Sequence, residues 1–159
     1  MVESHFSAGF IRQKINGVWY FLTVRDRRFK NLKTAGGMSS GEETPEETLC
    51  RELRQELGIE VVRAEHIHVE HMVGHDRHFF LVHETKDLPA LDERRVLAES
   101  KGGKPGDVLE MRWATLDEFA ERIYHEQGCA FGKILAEMSI DEDFFKKYGR
   151  WLSKFPVRD

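Results

Sequence analysis

Two glutamates, Glu52 and Glu56, are four residues apart in a segment whose leucines recur with helical spacing. A helix turns by about 100° per residue, so the two carboxylates lie about 40° apart, beside an apolar side formed by Leu49, Leu53 and Leu57. Like charges at this spacing repel each other, and a divalent cation between them would reverse the sign of that interaction. Hard cations such as Mg²⁺ bind one or two carboxylates together with substrate phosphates. The pair therefore indicates a metal site, with a solvated acidic helix face as the ordinary alternative.

The helix that carries this pair has clear start and stop signals. Thr44 can cap it, Pro45 suits its first position, and Glu47 completes a capping box. Gly58 can end it as a left-handed cap. These residues predict a helix over 45–57.

A double glycine lies upstream of the helix. Gly36 and Gly37 allow the backbone to approach a ligand closely. The free N–H groups of a helix N-terminus favour anions. A glycine loop, a capped helix and two exposed carboxylates together indicate a site for a metal ion and a phosphate group.

The segment 37–59 resembles the Nudix box. In that pattern a glycine is followed after five residues by a glutamate, and after seven more by Arg-Glu-aliphatic-x-Glu-Glu-x-Gly-aliphatic. Eight of the nine specified positions match, with intact spacing over 23 residues. The matching residues are Gly37, Glu43, Arg51, Glu52, Leu53, Glu56, Gly58 and Ile59. A match of this quality makes the solvated acidic helix a much weaker interpretation.

The resemblance implies an α/β fold, the Nudix α/β/α sandwich with a mixed central sheet. It also implies hydrolysis of a nucleoside diphosphate linked to another moiety, with Mg²⁺ or Mn²⁺ as cofactor. By position, Glu52 and Glu56 are metal ligands, and the Gly37 carbonyl is a third. Arg51 orients the glutamates, and Glu43 supports it. Glu52 is also the general base in some members of the family.

Further site residues are expected outside the box. A late carboxylate completes the metal site in many members of the family, and Glu110 is the best candidate, followed by Glu99. Arg25 matches a phosphate-binding arginine, and Lys33 lies in the same basic stretch. A solvated basic loop is the alternative for residues 25–33.

One box position departs from the pattern, because Gln55 replaces a glutamate that often binds metal. Glutamine keeps an oxygen ligand and loses a full charge. The site then either binds one metal ion less tightly and stays active, or belongs to a noncatalytic domain that senses or binds a nucleotide. We favour the enzyme, because Glu52 and Glu56 are both retained and substrate phosphates help to hold the metal.

Histidines are concentrated downstream of the box, at 66, 68, 71, 75, 78 and 83. On a regular strand, His66, His68 and Glu70 share one face and could bind zinc. No ligand spacing here is specific, so a polar sheet face or the wall of a substrate pocket is the favoured interpretation, with a role for one or two of these histidines near the substrate base left open. Three aromatic residues could stack on a base, although core packing is the favoured interpretation; they are Phe79, Phe80 and Trp113.

The remaining pattern predicts strands that alternate with helices. The predicted strands cover residues 6–11, 18–24, 61–71, 78–84 and 108–113, with turns at 16–17 and near 74. A short helix is predicted over 92–98, and another starts at a capping box over 115–118. A helical tail starts at about 126, with helices marked by the apolar residues of 131–138 and 144–152.

Composition limits the class of protein. The chain has 159 residues, 40% of them hydrophobic, and a net charge of −4, which predicts one domain over 1–159. Seven acidic and two basic residues in 37–60 account for the negative charge. Two cysteines and the absence of a signal sequence or a long apolar run predict a cytoplasmic protein outside the membrane. The expected partner is a small nucleotide substrate rather than a nucleic acid, and a homodimer is possible by resemblance.

Overall fold

Seven strands form the framework of the molecule. The computed structural model describes residues 4–26, 31–97, 109–123 and 125–138, together with residues 143 and 147. The strands are β1 (His5–Ile15), β2 (Val18–Asp26), β3 (Gly36–Met38), β4 (Glu60–Met72), β5 (His75–Lys86), β6 (Arg94–Leu97) and β7 (Leu109–Thr115). The helices are α1 (Pro45–Leu57), α2 (Leu116–Arg122) and α3 (Gly128–Glu137), with one turn of 3-10 helix (His125–Gln127) before α3.

The strands form a mixed sheet in the order β4-β5-β1-β2-β7-β6, and β3 pairs with β1. Strands β1 and β5 run parallel, whereas the other pairs are antiparallel. The long strand β1 pairs with β3 and β5 through its first half and with β2 through its last residues. It therefore connects the two halves of the sheet.

Helices cover both faces of this sheet, which confirms the predicted α/β/α sandwich. We call the two surfaces the α1 face and the α3 face. On β5, Phe80 and Val82 belong to the core beneath α1, whereas Phe79 and Leu81 belong to the core beneath α2 and α3. The strand is thus buried on both sides, and neighbouring residues point to opposite faces.

The local predictions at the first hairpin and at α1 are confirmed. Asn16 and Gly17 have φ angles of 51° and 80°, the left-handed pair that a tight hairpin turn requires. Helix α1 runs from Pro45 to Leu57, with the predicted capping box at Thr44 and a left-handed Gly58 at its end. Leu49 and Leu53 of α1 are fully buried. Burial of each side chain contributes about 1.5–3 kcal/mol to the free energy of unfolding.

Two predictions of local structure are wrong. The helix predicted over 92–98 is replaced in part by strand β6, which pairs with β7; helix propensity is a weak preference that tertiary pairing overrides. The predicted glycine loop contains strand β3, which pairs with β1. The two strands are so close that a Cβ at Gly36 would overlap the backbone of Ser7 and Ala8.

The C-terminal region is described in part. Helix α3 confirms the first tail helix, and it buries Phe131, Ile134 and Leu135. The second helix, predicted over 144–152, lies outside the described residues except for Lys147. Among the described residues, no helix has the length and apolar character needed to cross a membrane.

Candidate active site

The double glycine brings the backbone of β3 against the acidic side of α1. A Cβ added at Gly37 would lie 2.5 Å from the carboxyl carbon of Glu52. That distance is far inside van der Waals contact, so the carboxylate occupies the space that any larger residue would need. The fold therefore places the Glu52 side chain directly against the backbone of β3, as a ligand pair from the two segments would require.

Glu52 and Glu56 form the carboxylate pair predicted from their spacing. Burial, the negative charge of Glu52 and a hydrogen bond between the two side chains together raise the pKa of Glu56 to about 7. The charges of Lys33 and Arg51 act in the opposite direction. The half-buried carboxyl of Glu56 therefore resists ionisation beside Glu52.

A divalent cation fits this arrangement. Its charge would favour the ionised form of Glu56, and the oxygens of Glu52, Glu56 and the Gly37 backbone are the hard ligands that Mg²⁺ and Mn²⁺ prefer. In the part of the chain that the structure describes, no three His, Cys, Asp or Glu side chains are grouped to hold a metal ion. The protein side chains would thus supply two ligands and leave positions for backbone, water or substrate phosphate.

Arg51 connects three segments around the pair. Its Nε and Nη2 donate to the two carboxylate oxygens of Glu43, at 2.7 and 3.0 Å. Its Nη1 donates to Glu52 Oε1 at 2.9 Å, and Nη2 also donates to the Met38 carbonyl at 2.9 Å. The guanidinium therefore fixes the helix, the preceding loop and β3 relative to one another, and it orients one oxygen of Glu52.

Glu43 is the anionic partner of this clamp. Its hydrogen bond from Arg51 lowers the pKa of Glu43 to about 2, against the opposing effect of burial. The backbone N–H of Ser40 and the hydroxyl of Thr48 also donate to Glu43 Oε1, at 2.7 and 3.2 Å. Glu43 is therefore ionised and surrounded by donors.

Gln55 lies exposed on α1 beside the clamp. Its Oε1 accepts a hydrogen bond from Arg51 Nη1 at 3.3 Å. The amide oxygen thus makes the same kind of contact to Arg51 that a carboxylate oxygen would make. The departure from the box pattern removes a charge next to Glu52 and Glu56 and keeps an oxygen there.

Arg25 and Lys33 are the two basic residues predicted to bind substrate. Of these, Lys33 lies near the carboxylate of Glu56. Lys33 forms a β-bridge with Val24, whose side chain belongs to the core beneath α1. Its charge acts on Glu56. Lys33 therefore lies on the α1 face, where its ammonium group can meet an anionic ligand.

Arg25 and Glu110 are not brought to this cluster. They lie opposite each other on β2 and β7, with 4.0 Å between Arg25 Nη2 and Glu110 Oε2. The adjacent residues Val24 and Met111 point to the α1 face, so strand alternation places Arg25 and Glu110 on the α3 face. We therefore leave both residues out of the candidate metal site. Glu99 lies outside the described residues.

The zinc site considered for the histidines is excluded because β4 is irregular. The register between β4 and β5 shifts between His66 and His68. His66 lies against Phe80 on the α1 face, and its Nε2 is 2.9 Å from His78 Nδ1. His68 lies against Phe79 on the α3 face, where it contacts Glu70 at 3.3 Å. The three residues considered as zinc ligands are thus divided between the two faces.

The three aromatic residues considered for base stacking are core residues. Phe79, Phe80 and Trp113 are all nearly buried. The indole N–H of Trp113 donates to the Pro89 carbonyl at 3.1 Å. This confirms the interpretation as core packing.

Sequence reasoning missed two residues next to the clamp, His5 and Thr48. His5 Nε2 and Thr48 Oγ1 are 2.8 Å apart, and both residues are buried. Thr48 precedes Glu52 by one helical turn, so its position on the sheet-facing side of α1 could have been derived. The contact with His5 could not, because it joins residues 43 positions apart.

Comparisons with known proteins agree with this geometry. The family model of the NUDIX domain matches residues 6–131. No curated protein matches the chain.

Several solved structures have the same fold. A MutT from a study of the Aliivibrio salmonicida and Vibrio cholerae proteins is 19% identical, with a TM-score of 0.62 over 85% of this chain and 98% of that one. A MutT NUDIX hydrolase from Burkholderia pseudomallei is 21% identical, with a TM-score of 0.59 over 84% of this chain and 99% of that one. A MutT protein from Bacillus halodurans is 18% identical, with a TM-score of 0.55 over 85% and 80%. At these identities the likeness shows the fold, whereas the family match covers most of the chain: the chain belongs to the Nudix family.

Proposed function

We propose that the chain hydrolyses a phosphoanhydride bond of a nucleoside triphosphate or a related small nucleotide, with Mg²⁺ or Mn²⁺ as cofactor. The observation that carries this proposal is the half-buried carboxylate pair of Glu52 and Glu56 beside the backbone of Gly37. An acid whose ionised form is disfavoured by burial and by a second acid beside it, as Glu56 is, is costly to the fold unless a ligand uses it.

The residues of the pair would hold the metal ion. Glu52 and Glu56 offer carboxylate oxygens, and Gly37 offers its carbonyl. A divalent ion bound there would polarise a phosphate oxygen and lower the pKa of a bound water. Because Gln55 carries no charge, we propose that the site binds fewer cations, or binds them less tightly, than a box with four acids would.

The surrounding residues would position the reacting groups. Arg51 fixes one oxygen of Glu52 and leaves the other for a ligand. Lys33 supplies a positive charge on the same face, suited to a phosphate oxygen. Cys50 and Cys129 are not joined in a disulfide, as is usual in a reducing compartment such as the cytoplasm.

A nucleotide panel with metal titration tests this function. We expect release of phosphate or pyrophosphate from at least one nucleotide, dependent on Mg²⁺ or Mn²⁺. Glu56→Gln should lower kcat by roughly 1,000-fold, whereas Glu60→Gln, which changes an exposed glutamate just beyond the box, should leave it unchanged.

The second candidate function, a nucleotide-binding module without catalysis, is favoured by the neutral Gln55. If nucleotides bind and none is hydrolysed with either metal, this second function replaces the first. If Gln55→Glu then produces turnover, the missing charge is the reason for the lost activity.

A further inference from the structure

His5 and Thr48 extend the hydrogen-bond network of the candidate metal site to strand β1. His5 is the first residue of β1, and its backbone is fixed by two hydrogen bonds with Ser39, at 3.0 and 2.7 Å. Its side chain lies beneath the first turns of α1, where Thr48 is completely buried. Both residues are therefore rigidly placed before any ligand binds.

The direction of the hydrogen bonds follows from the number of protons. Glu43 is ionised, so its oxygens can only accept. The single hydroxyl proton of Thr48 is therefore donated to Glu43, and the Thr48 oxygen accepts from His5. This requires His5 to carry a proton on Nε2. The chain then runs from His5 through Thr48 and Glu43 to Arg51, which holds Glu52.

We propose that His5 is a positioning residue of the metal site, acting through Thr48 on the Glu43–Arg51 clamp. The proposal rests on the proposed function, because it assumes that Glu52 and Glu56 bind the cation. If His5 lost its Nε2 proton donor, the Thr48 hydroxyl could turn away from Glu43. The carboxylate would then lose one of its donors, and Arg51 would hold Glu52 less firmly. Groups that orient metal ligands in this indirect way typically affect metal affinity.

The test compares isosteric variants. His5→Phe keeps the ring and removes the donor, whereas His5→Gln restores an N–H donor near the position of Nε2. We expect His5→Phe to weaken Mn²⁺ binding by about 10-fold, at the low end for loss of an outer-shell partner. His5→Gln should recover most of the affinity, and Thr48→Val should behave as His5→Phe does. The double variant should be no weaker than either single variant. His71→Phe, on an exposed histidine of β4, is the matched control.

A second measurement does not depend on metal. In the metal-free protein, the NMR signal of the Arg51 Nε–H should shift and exchange faster with water in His5→Phe than in the wild type and in His5→Gln. If the wild type binds no Mn²⁺ and this signal still changes, the proposed function fails and the positioning role stands. If the Arg51 signal is unchanged in a folded His5→Phe variant, or if Phe and Gln have the same effect, the positioning role is refuted. Thr48→Ser, which keeps the hydroxyl, should behave as the wild type, and a loss there as large as in Thr48→Val would also refute it.

Discussion

Charged side chains are paired differently on the two faces of the sheet. On the α3 face, Arg77 donates to Glu70 at 2.9 Å and pairs with Glu126 at 2.7 Å, so each acid has a base. On the α1 face, Glu52 and Glu56 lie together, and burial and the charge of Glu52 disfavour the ionisation of Glu56. The comparison teaches that acids each held by a base serve the fold, whereas two acids packed so that one resists ionisation indicate a site that a ligand completes.

The largest expected effect comes from removing one acid of the α1 face. Glu56→Gln keeps the shape and the hydrogen bond to Glu52 and loses a metal ligand. We expect kcat to fall by roughly 1,000-fold, equivalent to about 4 kcal/mol. The free energy of unfolding at pH 8 should stay equal or rise, because the ionised form of Glu56 is disfavoured in the fold. Steady-state kinetics and urea denaturation measure the two quantities. A variant that lost stability and kept its rate would reverse the comparison.

The corresponding change on the α3 face should have the opposite result. Arg77→Met removes a base whose side chain is only 12% exposed and leaves Glu70 without it. We expect a loss of about 3 kcal/mol in the free energy of unfolding, the typical cost of an uncompensated buried charge. Replacing Glu70 by Leu in the same chain should recover part of that loss. Thermal and urea denaturation report it, and equal stability of Arg77→Met and the wild type would show that the ion pair is not structural.

A glycine in each region sharpens the contrast. Gly37→Ala places a Cβ against the Glu52 carboxylate, so we expect about 30-fold weaker Mn²⁺ binding. In α3, a Cβ at Gly132 meets no atom within 4 Å, so Gly132→Ala should stabilise the protein by about 1 kcal/mol. Calorimetric Mn²⁺ titration and denaturation of both variants separate the two effects. Unchanged Mn²⁺ affinity in Gly37→Ala would count against the close packing of β3 on Glu52.

The smallest effect concerns acid stability. The pKa of Glu43 falls from 4.5 to about 2 on folding, because Arg51 donates to its carboxylate. A lowered pKa contributes stability above pH 5, and the contribution is lost as the pH falls towards 2. Glu43→Gln should therefore flatten the decline of unfolding free energy between pH 5 and pH 2, relative to Glu42→Gln. Denaturation at a series of pH values measures the slopes, and parallel curves would contradict the assignment.

The sequence predicted the features that local chemistry determines. The ends of α1 follow from Thr44, Pro45 and Gly58, and the closeness of Glu52 and Glu56 follows from helical geometry alone. The Asn16-Gly17 turn is equally local. Each of these features is determined by residues that lie within a few positions of it in the sequence.

The features that were missed depend on distant pairing. A single extra residue in β4 moved His66 and His68 to opposite faces, and no sequence signal marked that bulge. Side chains alternate between the two faces along β7, so the face of Glu110 depends on where that strand lies in the sheet. Its face could be assigned only from the register of β7 with β2. The contact between His5 and Thr48 joins a strand to a helix 43 positions further along the chain. A sheet register cannot be read from one strand at a time.

The central claim is that the metal site lies on the α1 face and consists of the carboxylate pair. The most direct measurement is the affinity for Mn²⁺, by electron paramagnetic resonance, of the wild type, Glu56→Gln and Glu110→Gln at one pH. We predict that Glu56→Gln weakens Mn²⁺ binding by about 100-fold, the upper end of the range for loss of an outer-shell partner, because Glu56 would be a direct ligand. Glu110→Gln, on the α3 face, should bind as the wild type does. Equal loss in both variants, or binding that survives in Glu56→Gln, would contradict the account.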